Sequence, residues 1–333
     1  MLSLYKNCRL CPRRCGVDRE VGQLGYCGES SVLRIAFAGI HRGEEPPVTG
    51  AGGSGTIFVT GCNLGCAFCQ NYQISKQVAG KSAIGRPVDT GEFAEICLAL
   101  QAKGAENINI VTGSHAVPVI AAGIEKARKQ GLFIPVLWNS SGYDGTDALT
   151  ILKDFVDVYL PDLKTLDAKL AARFFNAPDY PENAKAAILK MMEYRSLSFG
   201  PGRASNEVMV SGVMVRHLII PGYLENTRQV LAWFSENCTD SGRSGGRGKA
   251  LLSLMTQYTP VKMVPGTISA SGTSIDIPSR YLSESEYKAA ISMLDEFGID
   301  DGFCQELLTG SEWLPDFARQ NPFSSELSFP VWP

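Results

Sequence analysis

The segment TIFVTGCNLGCAFCQNY (56–72) joins a short apolar run to three closely spaced cysteines. Its first part, TIFVT (56–60), is rich in β-branched and apolar residues, which is typical of a buried strand in a parallel sheet. The cysteines Cys62, Cys66 and Cys69 follow that run directly. A strand that ends in a loop with three thiols predicts a metal site at one edge of a sheet.

Strand and helix patterns alternate along the chain from residue 56 onward. Asp89 to Glu92 has the composition of a helix start, and apolar residues then recur at helical spacing up to Leu100. Six such units with mostly short connections predict an α/β fold, a parallel β/α barrel that is open or closed. The predicted strands are 56–60, 107–111, 132–138, 155–160, 212–220 and 250–255, and the helices lie near 89–100, 117–130, 146–154, 181–194, 226–237 and 283–297.

Two stretches rich in glycine do not fit this alternation, 199–207 and 241–249. We interpret both as insertions, and the second as a linker between a helix and a strand.

Length and composition narrow the class of protein. The chain has 333 residues and is 44% apolar, which is enough to bury a large core. It carries 31 basic and 34 acidic residues without a basic stripe, so nucleic acid is a weak candidate partner. No apolar run approaches the roughly 18 to 20 residues of a membrane span, and the first ten residues lack a secretory signal. We therefore expect a globular cytoplasmic protein that binds neither nucleic acid nor membranes.

Seven of the ten cysteines fall into two tight groups, which in a reducing compartment favours metal binding over disulfides. The N-terminal group has four members: Cys8, Cys11, Cys15 and Cys27. Four thiolates at such turns suit a closed zinc site, and we favour zinc over a second iron-sulfur cluster or metal-free thiols. No predicted strand precedes Cys8, so we do not place the catalytic site there. The remaining three are predicted to be structural: Cys97, Cys238 and Cys304.

The group after the first strand has only three cysteines. Three thiolates can hold three irons of a [4Fe-4S] cube and leave the fourth iron open to a substrate or cofactor. This motif, with Phe68 before its last cysteine, resembles the signature of radical S-adenosylmethionine (SAM) enzymes. The resemblance implies that SAM binds the open iron and is cleaved reductively to a 5′-deoxyadenosyl radical. It also implies a partial (β/α)6 barrel, which agrees with the six predicted units.

Further stretches resemble the activating enzymes of glycyl-radical enzymes. They are Cys69-Gln70-Asn71, LWNSSGY (137–143), VDVYLPDLK (156–164) and VRHLIIPG (215–222). The resemblance implies a set of cofactor-binding residues: Phe68, Asn71, Thr112, Ser114, Asn139, Ser140, Asp162, Lys164, Arg216 and Gln257. Lys164 and Arg216 are also the candidate catalytic residues, because a cofactor with a carboxylate needs a cation near it. His217, which faces the other side of its strand, is predicted to be structural.

The sequence departs from the activase pattern at three strand ends. VTGSHAVP (111–118) stands where the activases have Gly-Gly-Glu, and Asn139 stands in place of an aspartate. MTQY (255–258) occupies the position of a histidine, with Gln257 and Tyr258 as possible substitutes. Whether the reaction is glycyl-radical activation is therefore open.

Over nearly its full length the chain resembles the subgroup classed with pyruvate formate-lyase activating proteins. The stretches that carry this resemblance are CRLCPRRCGVDR (8–19), EEPPVTGAGGSGTIF (44–58), CQNYQIS (69–75) and SEWLPDFARQNPF (311–323). It implies an electron donor such as flavodoxin or ferredoxin, and hydrogen abstraction from a partner protein. The alternatives are radical modification or methylation of a peptide or small molecule and, in another class, an iron-sulfur electron carrier or a zinc-stapled interaction module.

We predict three parts of the chain from these patterns. Residues 1–50 form a cysteine-rich, metal-stapled segment, and 51–260 form the barrel that binds the cluster and SAM. Residues 261–333 form a helix and an extension that pack on the barrel.

Overall fold

A computed structural model describes residues 2–75, 84–204, 206–239, 248–261, 275–311 and 313–332. Its strands are β1 Leu33–His41, β2 Ser54–Val59, β3 Arg86–Val88, β4 Ile108–Val111, β5 Val136–Ser140, β6 Val158–Pro161, β7 Ser198–Pro201, β8 Glu207–Leu218, β9 Leu251–Met255, β10 Gly302–Cys304 and β11 Ser328–Trp332. Its α-helices are α1 Pro46–Thr49, α2 Tyr72–Ser75, α3 Thr90–Ala102, α4 Val117–Lys129, α5 Thr146–Leu152, α6 Ala168–Phe175, α7 Tyr180–Tyr194, α8 Leu224–Cys238 and α9 Glu284–Glu296. A short 3₁₀ helix covers Leu2–Tyr5.

The strands form a sheet in the order β10-β9-β8-β6-β5-β4-β2-β1-β11. Neighbouring strands from β2 to β9 are parallel, and β10 continues the sheet in parallel beside β9. Within this parallel series, each strand pairs with the previous parallel strand, as in a β/α barrel. The predicted α/β fold, a partial barrel with six β/α units, is confirmed. Among the described residues, no helix has the length and apolar character needed to cross a membrane.

The bounds of three predicted strands are wrong. The strand predicted at 155–160 begins only at Val158, because residues 153–155 form a turn after α5. The strand predicted at 132–138 begins only at Val136, because the chain is still turning after Gly131, which has a φ of 105°. The strand predicted from 212 begins at Glu207, because its first residues pair with β7 in an antiparallel hairpin. This hairpin occupies the first predicted insertion, 199–207. Of the second, residues 241–247 lie outside the described residues.

Antiparallel strands from both ends of the chain extend the sheet. β1 pairs with β2, and β11 pairs with β1 in turn. β1 lies in residues 1–50, which we predicted to be a cysteine-rich, metal-stapled segment. β11 lies in the predicted C-terminal extension. The sheet therefore contains residues from all three predicted parts of the chain.

Helix starts follow the expected capping chemistry. The Asp89 side chain accepts from the backbone N–H groups of Gly91 and Glu92 at 2.7 and 2.9 Å, which confirms the start predicted for α3. α6 was not predicted, although Asp167 caps it in the same way. α9 begins with a capping box between Ser283 and Glu286.

Replacing Ser283 with alanine is expected to lower the free energy of unfolding by about 1 kcal/mol. The hydroxyl accepts from the backbone N–H of Glu286 at 3.3 Å, and this bond disappears in the variant. Urea denaturation of both proteins measures the difference. Ser292→Ala, in the middle of the same helix, is the matched control and should be neutral or slightly stabilising. Equal losses in the two variants would contradict the capping role.

Candidate functional site

The carboxyl ends of the parallel strands surround a cavity of about 260 Å³. Loops after β2, β4, β5 and β6 contribute to its wall, together with β8 and the end of β9. The residues of the wall from these elements include Cys62, Cys66, Phe68, Cys69, Gln70, Asn71, Thr112, Asn139, Ser140, Ser141, Asp162, Lys164, Arg216, Met255 and Gln257. Nine of the ten residues predicted to bind the cofactor thus line one cavity, and Ser114 is not among its described lining residues.

The loop after β2 brings all three cysteine side chains to the cavity. It turns at Gly61, whose φ is +79° and where an added Cβ would lie 2.5 Å from the Glu29 side chain. Only glycine fits there, because the conformation and the space both exclude a side chain. The turn directs the chain away from the strand and across the mouth of the barrel.

The thiols of this loop influence each other electrostatically. Burial raises the pKa of Cys69 to about 11, and the neighbouring Cys62 sulfur adds to this rise. Burial also raises the pKa of Cys66, although Lys164 opposes the effect. A group of buried sulfurs needs added positive charge to become thiolates, and bound iron supplies such charge.

The donor set fits an iron-sulfur cluster better than a single metal ion. Over the described part of the chain, and so in both cysteine groups, no three Cys, His, Asp or Glu side chains are close enough to enclose one ion. In a [4Fe-4S] cluster each thiolate binds a different iron, so its sulfurs stand farther apart than around one ion. Three soft thiolates on one wall of a cavity, with a lysine beside them, match that requirement.

Asp162 and Lys164 form an ion pair on the cavity wall. The Lys164 Nζ lies 2.5 Å from Oδ2 of Asp162, and the two side chains are 20% and 23% exposed. Burial alone would lower the pKa of Lys164, but Asp162 and the Cys66 sulfur outweigh it and raise the pKa. Lys164 therefore remains an ammonium group next to the cysteine loop.

Arg216 is buried in β8 and is held by two carboxylates of the chain itself. Its Nη2 donates to Oε2 of Glu44 at 2.5 Å and to the Glu45 carboxylate. Burial alone would lower the pKa of Arg216, but the two glutamates outweigh it and raise the pKa. The group of three carries one positive and two negative charges. Its role towards a cofactor carboxylate stays a prediction, because the guanidinium already has two anionic partners.

A buried carboxylate lies behind the wall next to the ends of β4 and β5. Asp144 accepts from Ser114 Oγ at 2.6 Å and from Ser140 Oγ at 2.5 Å. Ser140 and Asn139 line the cavity, whereas Ser114 is turned to Asp144. Thr112 lines the cavity with a φ of +64°, a conformation that non-glycine residues seldom adopt and that is common at functional sites.

Three further residues indicated by the sequence are Phe68, Gln257 and Tyr258. The first two line the cavity, and Tyr258 is not among its described lining residues. Phe68 packs edge to face against Phe174, 5.6 Å between ring centroids, so it also closes the inner side of the cysteine loop. The backbone carbonyl of Gln257 accepts from Gln70 Nε2 at 3.2 Å. Tyr258 turns away and donates to the Pro278 carbonyl.

The histidine next to Arg216 has the structural role that the strand pattern predicts. The ring nitrogens of His217 hydrogen-bond to the Leu163 carbonyl at 2.7 Å and to the Thr227 hydroxyl at 3.0 Å. Burial lowers its pKa to about 4, so the ring is neutral at physiological pH.

The C-terminal extension forms one side of the cavity. The sequence had not indicated that this extension belongs to the site. Its contributing residues are Trp313, Pro315, Phe323 and Leu327. The Phe323 ring also packs on His41 of β1, 4.7 Å between centroids, and His41 lines the cavity. The aromatic residues of SEWLPDFARQNPF (311–323) could have indicated that this stretch belongs to the site, since exposed aromatic residues in a loop often mark a binding surface.

The four N-terminal cysteines lie close to one another and contact the cysteine loop, where the Cys62 N–H donates to the Cys27 carbonyl. Burial raises the pKa of Cys11 to about 12 and that of Cys27 to about 11, with neighbouring sulfurs among the further causes. The Cys15 sulfur accepts from the Tyr26 backbone N–H at 3.2 Å. Zinc at this group stays a prediction. Of the cysteines predicted to be structural, Cys97 and Cys238 are buried in the core and Cys304 is exposed.

A partial β/α barrel with three cysteines in the loop after its first parallel strand defines a class, the enzymes that hold a [4Fe-4S] cluster by three thiolates. The model of the radical SAM superfamily matches residues 56–228, more than half of the chain. The protein belongs to the radical SAM superfamily.

Individual relatives are distant. The uncharacterized protein MJ0674 of Methanocaldococcus jannaschii is 28% identical over 305 residues, which cover 90% of this chain and 77% of that protein. A structure of Streptococcus suis SuiB bound to S-adenosylmethionine is 12% identical with a TM-score of 0.47, over 74% of this chain and 48% of SuiB. A domain of pyruvate-formate lyase-activating enzyme from Bacteroides vulgatus is 14% identical with a TM-score of 0.36, over 57% of this chain and 91% of the domain. The matched region thus spans about half the length of SuiB.

Proposed function

We propose that this protein cleaves SAM reductively at a [4Fe-4S] cluster bound by Cys62, Cys66 and Cys69. The observation that carries the proposal is the position of these three thiols, on one wall of a cavity at the carboxyl ends of the parallel strands. When bound, the reduced cluster and SAM supply a 5′-deoxyadenosyl radical that abstracts hydrogen from a substrate. Membership of the radical SAM superfamily supports an enzyme over an electron carrier or an interaction module.

The charges of the wall suit a ligand with both signs of charge. SAM carries a sulfonium, an ammonium and a carboxylate group. The Lys164 ammonium suits the carboxylate, whereas Asp162 and Glu44 suit the two cationic groups. The amide of Asn139 offers hydrogen bonds beside them, whereas the Ser140 hydroxyl already donates to Asp144. Arg216 holds the Glu44 carboxylate in place, and we propose this supporting role for it.

The C-terminal extension has a different role in the proposal. Trp313, Phe323 and Leu327 place apolar surface over the same cavity that the cysteines line. Such a cover excludes water from the reacting groups, which protects a reactive carbon radical from side reactions. The substrate would then lie between this cover and the strand ends.

The substrate has two candidate classes. By resemblance we propose a side chain of a partner protein, with flavodoxin or ferredoxin as electron donor. A second candidate is the radical modification or methylation of a peptide or small molecule, which a cavity of about 260 Å³ lined by aromatic residues would hold. For the N-terminal four cysteines we propose a structural metal centre, either zinc or a second iron-sulfur cluster.

The proposal is tested with anaerobically reconstituted protein, dithionite and SAM. We expect methionine and 5′-deoxyadenosine in equal amounts, and neither product when dithionite is omitted. Release of S-adenosylhomocysteine with a methylated acceptor would instead identify methylation. Protein with a full cluster that binds no SAM and releases no product would contradict the proposal.

A further inference from the structure

Arg13 lies in the N-terminal cysteine group, between Cys11 and Cys15, and its side chain contacts the cysteine loop of the barrel. The guanidinium donates to four backbone carbonyls. Nε donates to Asn63 at 2.8 Å, Nη1 to Asn176 at 2.6 Å, and Nη2 to Leu64 at 2.8 Å and Phe175 at 3.2 Å.

The four acceptors belong to two separate segments of the chain. Asn63 and Leu64 lie between the first two cysteines of the loop after β2. Phe175 is the last residue of α6, and Asn176 follows it in a left-handed conformation with a φ of 51°. Carbonyls at a helix end lack partners within the helix, and a cation there is also favoured by the helix dipole. Arg13 therefore ties the loop to the helix end by one charged group.

Other contacts join the N-terminal cysteine group to the cysteine loop. The Tyr26 hydroxyl donates to the Leu64 carbonyl at 3.1 Å, and the Arg13 guanidinium lies 3.8 Å from the centre of the Tyr26 ring. The Cys62 backbone N–H donates to the Cys27 carbonyl at 3.3 Å. The N-terminal cysteine group thus contacts the loop through a backbone bond at one cysteine of each group, as well as through Arg13.

We propose that Arg13 is a positioning residue, which makes the geometry of the cysteine loop depend on the folded N-terminal group. The inference rests on the proposed cluster at Cys62, Cys66 and Cys69. Between β2 and α2 the loop has no regular secondary structure to fix its carbonyls. Arg13 donates to two of these carbonyls, those of Asn63 and Leu64, and its other two hydrogen bonds fix the loop relative to the end of α6. The loop is held further by the Ala67 N–H, which donates to the Phe174 carbonyl at 2.8 Å. Disruption of the N-terminal group would remove Arg13 and let the three thiolates move apart.

The test compares Arg13→Gln with Arg9→Gln in the full chain. Arg9 is exposed and stands between two N-terminal cysteines, so it is a matched control. After reconstitution, transfer of iron to a ferrous chelator is expected to be about tenfold faster in Arg13→Gln, because charge-assisted hydrogen bonds are lost. Arg13→Lys should fall between, and Arg9→Gln should match the wild type.

Hydrogen-deuterium exchange supplies a second readout that does not need the cluster. In the iron-free full chain, Arg13→Gln should exchange faster at 62–66 while the amides of β8 and α8 remain as slow as in the wild type. Failure of the wild type to bind iron would contradict the proposed function but would leave this test in place. Wild-type exchange at 62–66, or faster exchange throughout the chain, would overturn the positioning role.

A milder variant covers the case in which Arg13→Gln does not fold. Arg13→Lys keeps the positive charge but cannot donate to all four carbonyls at once. A smaller increase of exchange at 62–66 is expected. An unchanged exchange pattern would overturn the inference.

Discussion

Replacing Cys62, Cys66 and Cys69 together with alanine is expected to abolish the release of 5′-deoxyadenosine. The three thiols are the proposed ligands of the cluster, and without them no iron remains to transfer an electron to SAM. Chromatography of the anaerobic reaction measures 5′-deoxyadenosine and methionine, and both should fall to the level of the protein-free blank. The ultraviolet-visible absorption of the reconstituted cluster should disappear in parallel.

The matched control is Cys304→Ser, which changes an exposed thiol of β10. This variant is expected to keep wild-type cleavage and wild-type absorption at the iron-sulfur bands. If the triple variant retains cleavage, the cluster is not bound by the loop after β2. Cleavage that is lost equally in Cys304→Ser would mean that the assay responds to thiol content in general.

The parallel core of the fold could be predicted because each of its strands and helices is specified by a pattern within a short stretch of sequence. Buried parallel strands appear as short apolar runs, and the helices between them show a period of 3.6 residues. β1 and β11 were missed for the opposite reason. Their pairing, for example Ala38 with Trp332, joins opposite ends of the chain, and no local pattern specifies such a partner.

The candidate site could likewise be predicted only where its residues are close together in the sequence. Three cysteines within one loop are visible in the sequence, because ligands of one cluster can be close neighbours in the chain. The carboxylate partners of Arg216 are not visible in this way, since Glu44 lies 172 residues from it. An arginine in an apolar strand needs a buried partner or ligand, because an uncompensated charge is costly there. Only the fold shows that the partner is part of the chain.

Replacing Arg216 with methionine is expected to lower the free energy of unfolding by about 3 to 5 kcal/mol at pH 8. Methionine fills a similar volume but leaves the carboxylates of Glu44 and Glu45 buried without their cation. Their side chains are only 13% and 10% exposed, so water compensates little of the loss. Denaturation by urea at several pH values measures the effect.

The expected pH dependence follows from the pKa of Glu45. In the wild type, burial raises this pKa but Arg216 outweighs it, and the net pKa lies below the ordinary value. The contribution of the pair is therefore complete above pH of about 4.3, and is lost as the pH falls through the lower folded-state pKa. In the variant, burial is no longer opposed by Arg216, and only the smaller effects of hydrogen bonds from Ser253 and the backbone remain against it, so the pKa of Glu45 rises. The folded variant then binds a proton that the unfolded chain releases, so its stability falls as the pH rises.

The difference between wild type and variant should thus be smaller at pH 5 than at pH 8. Arg228→Met is the matched control, because Arg228 forms a comparable contact of 2.5 Å with Glu296 on the surface. That pair is screened by water, so its loss should have little effect on stability and no such pH trend. Equal losses in the two variants, or a loss for Arg216→Met that does not change with pH, would mean that the buried glutamates do not depend on Arg216. In that case the guanidinium would be available to a bound carboxylate, and a lower affinity for SAM would become the main expected effect of its removal.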